Sequence, residues 1–300
     1  MSFPSLAAPR QKSDLWSYVD DARPLIERAL LDSLPLASAQ GGANFNDALR
    51  YALFPGGKRL RPVLTLLGAE AVGGSASQVL AAAAAVEFIH TSSLIFDDLP
   101  CMDNAAERRG RVALHVRYGE GLAVLAALAL MNASYGLMFE SGGTNQSHAV
   151  RAHRELVQCI GANGMVVGQT IDLAANEKPD GRFSSDSMRN LKTSALVRLA
   201  LRLGAILCGA NEKQLNALTL FAEKIGDAYQ TSDDMLDLIE DKALGARRAT
   251  YASRYGTSDA MQRVKLLTGK AKDALAAEFS DNRPSRLLGE VADYIAARQS

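Results

Sequence analysis

Apolar residues recur at helical spacing through most of the chain, in a background rich in Ala, Leu, Met, Glu, Lys and Arg, and strand-like alternation is almost absent. The pattern predicts helices over 45–54, 61–74 and 75–99, punctuated by "PGG", by a double glycine and by Pro100. Further helices are expected over 119–140, 146–174, 184–209, 211–240, 257–279 and 285–298, joined by short polar links such as "SGGTNQ" and "NEKPDGR". No link is long enough to divide the chain, so the expectation is a single domain across 1–300, with 1–12 as a flexible tail. The segment "VLAAAAAVEFIH" is apolar nearly all round, which predicts a helix enclosed by other helices.

Composition sharpens this picture. A chain of 300 residues with 48% hydrophobic content can bury a large core. Its 33 basic and 33 acidic side chains cancel, so no global field recruits nucleic acid or an anionic membrane, and charge must act through local clusters. The longest apolar run, "GLAVLAALALMNASYGLMF", is interrupted by Asn132 and Ser134 and reads as buried helix, without stable membrane insertion. Cys101, Cys159 and Cys208 are odd in number and widely spaced, which argues for reduced thiols. The first residues lack the basic start and apolar core of a secretory signal, and a cytoplasmic location is expected.

Two acidic clusters break the apolar pattern. In "SSLIFDDLPCMDNAAERRG" Asp97, Asp98 and Asp103 precede two arginines, and in "GDAYQTSDDMLDLIED" Asp233, Asp234 and Asp237 stand at i, i+1 and i+4. On a helix Asp233 and Asp237 share a face, with Asp234 about 100° around. Carboxylates so crowded repel one another unless a cation neutralises them. All-oxygen donors without His or Cys favour a hard ion, and Mg²⁺ completes its shell with water and phosphate oxygens, so the ligand predicted is Mg²⁺-diphosphate. Pro100 should kink the first cluster so that all three acids stay at one mouth. Arg108 and Arg109, together with Lys58, Arg59 and Arg61 of "GGKRLRP", supply the phosphate-binding charge behind a Gly56-Gly57 turn.

These residues resemble the trans-type isoprenyl diphosphate synthases, closest to the short-chain geranylgeranyl or farnesyl diphosphate synthases of bacteria. The likeness spans nearly the whole chain. It is carried in order by "GGKRLRP", "VEFIHTSSLIFDDLPCMD", "RRGR", "MVVGQTIDL", "KTSAL", "YQTSDDMLD" and "VADYIAAR". The resemblance implies an all-α fold, an orthogonal helical bundle around a deep central cavity, in a homodimer. Three Mg²⁺ ions per site would lie between the aspartate-rich helices, held by Asp97, Asp98, Asp103, Asp233, Asp234 and Asp237. Isopentenyl diphosphate would sit among Lys58, Arg61, His90 and Arg109, and an allylic diphosphate (dimethylallyl, geranyl or farnesyl) near Arg108, Lys192 and Gln230. Thr193, Gln169 and Asp172 match positions lining the reacting centre. Of these, Lys192, Thr193, Gln230 and Asp233 are the expected catalytic group.

The growing product would extend down the cavity, so the residues one turn before Asp97 should form its floor. Ser93 and Ser92 stand there, where farnesyl-forming relatives commonly carry a bulky aromatic, and small residues leave room for a C20 product, geranylgeranyl diphosphate. A C15 product, a low-activity regulatory subunit and a class I terpene cyclase are the competing readings. The second aspartate cluster runs on as "DLIEDKALGARRATY", where relatives carry two lysine-bearing loops over the leaving diphosphate. The first loop is shortened here, and Arg248 stands at the second lysine's place. Val112 and Ala113 likewise replace the usual Pro and Thr.

Overall fold

The computed structural model describes residues 14–38, 42–140, 145–177, 185–244, 253 and 255–297, with backbone only at 172, 174–177, 185–193 and 236–244. The tail over 1–12, Arg248 and the loop that carries it lie outside the described residues. Among the described residues the fold is all-α apart from two strands of two residues each. Its helices are α1 (Asp14–Asp32), α2 (Ala43–Leu53), α3 (Leu60–Ala71), α4 (Leu80–Asp98, after a 3₁₀ turn over Ala76–Val79), α5 (Leu114–Tyr118), α6 (Glu120–Gly136), α7 (Gln146–Ile160), α8 (Met165–Glu177), α9 (Ser185–Leu207), α10 (Glu212–Leu244), α11 (Thr257–Ala276) and α12 (Arg283–Ala297).

The helix at 14–32 is absent from the sequence prediction. Its apolar face is regular nonetheless, with Leu15, Tyr18, Val19, Ala22, Ile26 and Leu30 buried, and Pro24 inside the helix disguises it. The stretch predicted as one helix over 146–174 is two, because "GANG" at 161–164 forms a turn between α7 and α8.

One hydrophobic core runs from Leu15 to Ile295. At its centre lies α4, whose residues Ala82 to Val86 and Phe88 are fully enclosed, as the all-round apolar sequence predicts. Neighbouring helices α1, α3, α6 and α9 surround it. Close approach of α3 and α9 depends on two glycines: a Cβ on Gly68 would meet the Leu201 carbonyl oxygen at 2.2 Å, and one on Gly204 the Thr65 carbonyl oxygen at 1.9 Å. The stretch Ala76–Asp98 is the one helix among the described residues long and apolar enough to cross a membrane, and 72% of its apolar window is buried inside the fold. This packing fixes the C-terminal end of α4, and with it the first aspartates, against the core.

Candidate active site

Pro100 stops α4, and Leu99 turns to an extended conformation with ψ 150°. The chain then folds back on itself: the Asp103 amide donates to the Asp97 carbonyl at 2.9 Å, Asn104 to Leu99 at 3.1 Å and Ala105 to Asp98 at 3.2 Å. Asn104 takes a left-handed φ of 50° to close this turn. The expected kink therefore draws Asp103 back beside Asp97. Asp97 and Asp98 are buried while Asp103 is exposed.

Arg108 caps the acids. Its Nε donates to Asp98 Oδ1 at 2.9 Å, and a second guanidinium nitrogen pairs with the same oxygen. That hydrogen bond, opposed by partial burial and reinforced by the charges of Asp98, Asp97 and Asp103, raises the guanidinium above its ordinary pKa. All three carboxylates thus act on one cation.

A hairpin delivers the two arginines to different places. Strands β1 (Glu107–Arg108) and β2 (Arg111–Val112) pair antiparallel around Arg109 and Gly110, both at positive φ (55° and 71°), the two-residue connection that suits strand twist. From this turn the Arg109 guanidinium reaches His90 Nε2 at 3.2 Å, and Arg61 reaches the same nitrogen at 3.3 Å. Burial first, then the charges of Arg61, Arg109, Arg59 and Arg108, hold His90 well below the usual histidine pKa. It is a neutral ring accepting from two guanidiniums. Arg61 is itself pulled down by burial, with Glu87 and Tyr229 acting against that and Arg109 adding to it. Its buried Nε has no hydrogen-bond partner. A cluster of donors left partly unfilled suits an oxyanion.

Within "GGKRLRP" the three basic residues diverge. Arg59, at φ 52°, turns into the core, donating to Glu27 at 2.7 Å, to Glu87 at 2.7 Å and to the Leu53 carbonyl at 2.7 Å. Burial opposes its charge and the two carboxylates more than offset this, so its pKa lies above the ordinary value. Arg59 therefore binds no phosphate, contrary to the sequence expectation, because its donors are spent joining α1 to α4. The two glycines leave room for arginine side chains. A Cβ on Gly56 would strike the Arg59 guanidinium at 1.9 Å, and one on Gly57 would crowd that of Arg109 at 3.3 Å. Lys58 is exposed, and its ammonium donates to the Tyr294 hydroxyl at 2.5 Å.

On α10, Gln230 donates from Nε2 to Asp234 Oδ1 at 3.0 Å, one helical turn on. Asp234 is buried and Asp233 half-buried; Asp237 follows on the same helix, its side chain outside the described residues. A Cβ on Gly226 would meet Ser194 Oγ at 2.0 Å, so α9 presses on α10 one turn before Gln230. Lys192 and Thr193 immediately precede Ser194 on α9, and Asp172 lies on α8; their side chains are outside the described residues. Among the described residues no three His, Cys, Asp or Glu side chains converge closely enough for a metal. The chemistry of the donor set, buried carboxylates with cations alongside, fits Mg²⁺ carrying a polyphosphate.

Beneath Asp97 lies a cavity of about 270 Å³. Ile89, Ser92, Ser93 and Phe96 of α4 form one wall, Met131 of α6 another, and Met165 and Gln169 of α8 a third. Asp97 belongs to the same lining, so one chamber joins carboxylate to apolar wall. The Ser92 hydroxyl is not free within it. It donates to the Phe88 carbonyl at 2.8 Å and, across to α6, to the Ala127 carbonyl at 2.9 Å. Sequence reasoning missed the Asp98–Arg108 pair, the wall supplied by Met131 and the contact of Lys58 with Tyr294; only the last had a signal, in the closing motif "VADYIAAR".

Residues 43–251 match the polyprenyl synthetase family. The chain is 36% identical to a geranylgeranyl diphosphate synthase of Cyanophora paradoxa, over 96% of this chain and 97% of that one. It is 38% identical to a chloroplastic geranylgeranyl pyrophosphate synthase of Arabidopsis thaliana, over 96% of this chain and 83% of that one. Among solved structures, an FPP/GFPP synthase of Zymomonas mobilis superposes with a TM-score of 0.85 at 31% identity, covering 95% of this chain and 99% of the other.

Proposed function

The chain belongs to the polyprenyl synthetase family, and from that premise we propose that it condenses isopentenyl diphosphate with an allylic diphosphate to give an all-trans C20 product, geranylgeranyl diphosphate. The observation that carries this reading is a single apolar chamber that has Asp97 in its lining and Ser92 in its wall. Relatives named as geranylgeranyl synthases over nearly their full length support the C20 length. The likeness to an FPP/GFPP synthase keeps C15 and C25 as the lengths to test against.

Asp97, Asp98, Asp103, Asp233, Asp234 and Asp237 would hold up to three Mg²⁺ ions, which when bound stabilise the negative charge building on the departing diphosphate. The allylic C–O bond breaks, leaving a carbocation. The double bond of isopentenyl diphosphate attacks it to form the new C–C bond, and the proton released from the adduct passes to the departing diphosphate. Arg61, Arg109 and neutral His90 form the seat for the second diphosphate, with Lys58 at its edge. For the first, Arg108 must exchange Asp98 for phosphate oxygen. Each preorganised partner to the leaving oxygens is worth about 3–4 kcal/mol in a dry site, so a few such partners supply much of the barrier reduction. The apolar chamber keeps water from the cation.

We propose a homodimer as well, supported by α6, which is apolar all round yet leaves Leu125 and Leu128 more than half exposed. A reducing, cytoplasmic setting is proposed from the three free thiols. The decisive experiment incubates the protein with Mg²⁺, labelled isopentenyl diphosphate and each of dimethylallyl, geranyl and farnesyl diphosphate, then resolves products by length. A C20 product is expected. No elongation of any primer would overturn the enzyme, and a C15 stop would overturn the product assignment.

A further inference from the structure

The first and last helices meet over Lys58. Trp16 of α1 and Tyr294 of α12 pack edge to face, with ring centroids 5.0 Å apart and planes at 83°. The Lys58 ammonium lies 5.5 Å from the Trp16 ring centroid and 5.0 Å from that of Tyr294, and it donates to the Tyr294 hydroxyl at 2.5 Å. The two helices are themselves joined by the Leu15 amide, which donates to Glu290 Oε2 at 3.0 Å. Next to Lys58 in the chain, a Cβ on Gly57 would crowd the Arg109 guanidinium at 3.3 Å, so the backbone that carries Lys58 runs against the Arg61, His90 and Arg109 cluster.

A free lysine is among the most costly side chains to order, since four rotatable bonds must be fixed when it engages a ligand. Ring faces attract the ammonium electrostatically, and a phenol oxygen takes one of its three protons as an acceptor. Two protons remain for an anion. The aromatic corner thus restricts the side chain before a ligand arrives, without neutralising its charge as a carboxylate would. Lowering the ordering cost in advance raises affinity without adding a contact to the ligand.

We propose that Tyr294, with Trp16 beside it, is a positioning residue for the second substrate: it holds Lys58 at the edge of the Arg61, His90 and Arg109 cluster so that the ammonium meets the diphosphate of isopentenyl diphosphate already ordered. This rests on the reading of that cluster as the isopentenyl diphosphate seat. Tyr294 touches no substrate in this role and acts through Lys58 alone. The allylic diphosphate, held at the aspartates, gains nothing from it.

The test is calorimetric binding of isopentenyl diphosphate without an allylic primer, so that no turnover occurs, paired with steady-state kinetics. Tyr294→Phe removes only the hydroxyl. It should weaken Kd for isopentenyl diphosphate about 5-fold and raise its KM in step, while kcat and the KM of geranyl diphosphate stay within about 2-fold. Trp16→Phe keeps a ring face and should weaken binding less. On a Lys58→Ala background, Tyr294→Phe should add nothing further. An unchanged Kd in Tyr294→Phe, an equal effect on both substrates, or an effect that persists in full without Lys58 would overturn the proposal. A wild type that binds isopentenyl diphosphate but elongates no primer would refute the synthase reading and leave this test intact; one that does not bind it overturns both.

Discussion

The aspartate turn and the arginine cluster sit on either side of the Arg108–Arg109 hairpin and meet their charge in opposite ways. At the turn, Asp98 is already paired with Arg108 through one oxygen, so a metal entering there competes with a protein cation for that carboxylate. In the cluster, Arg61 and Arg109 converge on a histidine kept neutral, and the buried Nε of Arg61 has no hydrogen-bond partner. One region is compensated in part, at Asp98, and can exchange that partner; the other carries its excess charge in advance. The difference suits two substrates. A diphosphate that leaves needs a site whose charges can rearrange, whereas one that is kept needs only a fixed cationic seat. The same divergence separates two arginines of one motif, since Arg59 is fully paired within the core while Arg61 is not.

The largest expected effect comes from removing a carboxylate at the compensated site. Asp97→Asn should lower kcat by about 10²–10³-fold with the fold intact, because charge stabilisation in a dry site is lost at the bond that breaks. Steady-state kinetics at saturating Mg²⁺, with thermal unfolding as the control, checks this; a change under 10-fold would remove Asp97 from the reacting centre. Next, Arg59→Met and Arg61→Met should separate cleanly. Without Arg59, the buried carboxylate of Glu87 and the half-buried one of Glu27 lose their partner, a loss of about 3–5 kcal/mol. Without Arg61, whose charge is opposed by burial, denaturant unfolding should show no loss of stability, while binding of isopentenyl diphosphate weakens about 10-fold, the worth of one charge-assisted hydrogen bond. Equal stability of the two variants would erase the distinction between them.

That distinction could not be read from "GGKRLRP". The motif shows three basic residues, and only the left-handed φ of Arg59 turns its side chain away from its neighbours and into the core. The bundle itself was legible because its helices are long and their apolar faces regular, and the kink at Pro100 followed from the restriction proline places on Leu99. The hairpin was not, since two residues per strand are too few to show a period of two. The partnership of Lys58 with Tyr294 spans nearly the whole chain: the closing motif marks Tyr294, but no local pattern gives its partner. The position of Ser92 was legible, but the use of its hydroxyl was not: it ties α4 to the Ala127 carbonyl of α6. Ser92→Phe should therefore shorten the product toward C15, with thermal stability lowered because the ring must displace α6. Product chromatography with an unchanged C20 profile would exclude Ser92 from the floor.

The smallest effect tests the uncompensated region by pH. His90 faces Arg61 from α3, Arg109 from the hairpin turn, and the more distant charges of Arg59 and Arg108, with no carboxylate among the causes acting on it. Its pKa is lower folded than unfolded, where it lies near 6.5. Between those two values the unfolded chain holds a proton that the folded chain does not, so stability rises with pH through that window. The contribution of a neutral His90 is fully present above about pH 6.5 and is lost progressively as pH falls below it. Thermal unfolding of the metal-free protein should accordingly lose its midpoint more steeply in wild type than in His90→Gln between about pH 6.5 and 5, and the two curves should run parallel above about pH 7. Glutamine keeps an acceptor for the guanidiniums but cannot take up the proton. Parallel curves across the whole range would mean that His90 titrates normally, and that the seat beside it carries less positive charge than two converging guanidiniums require.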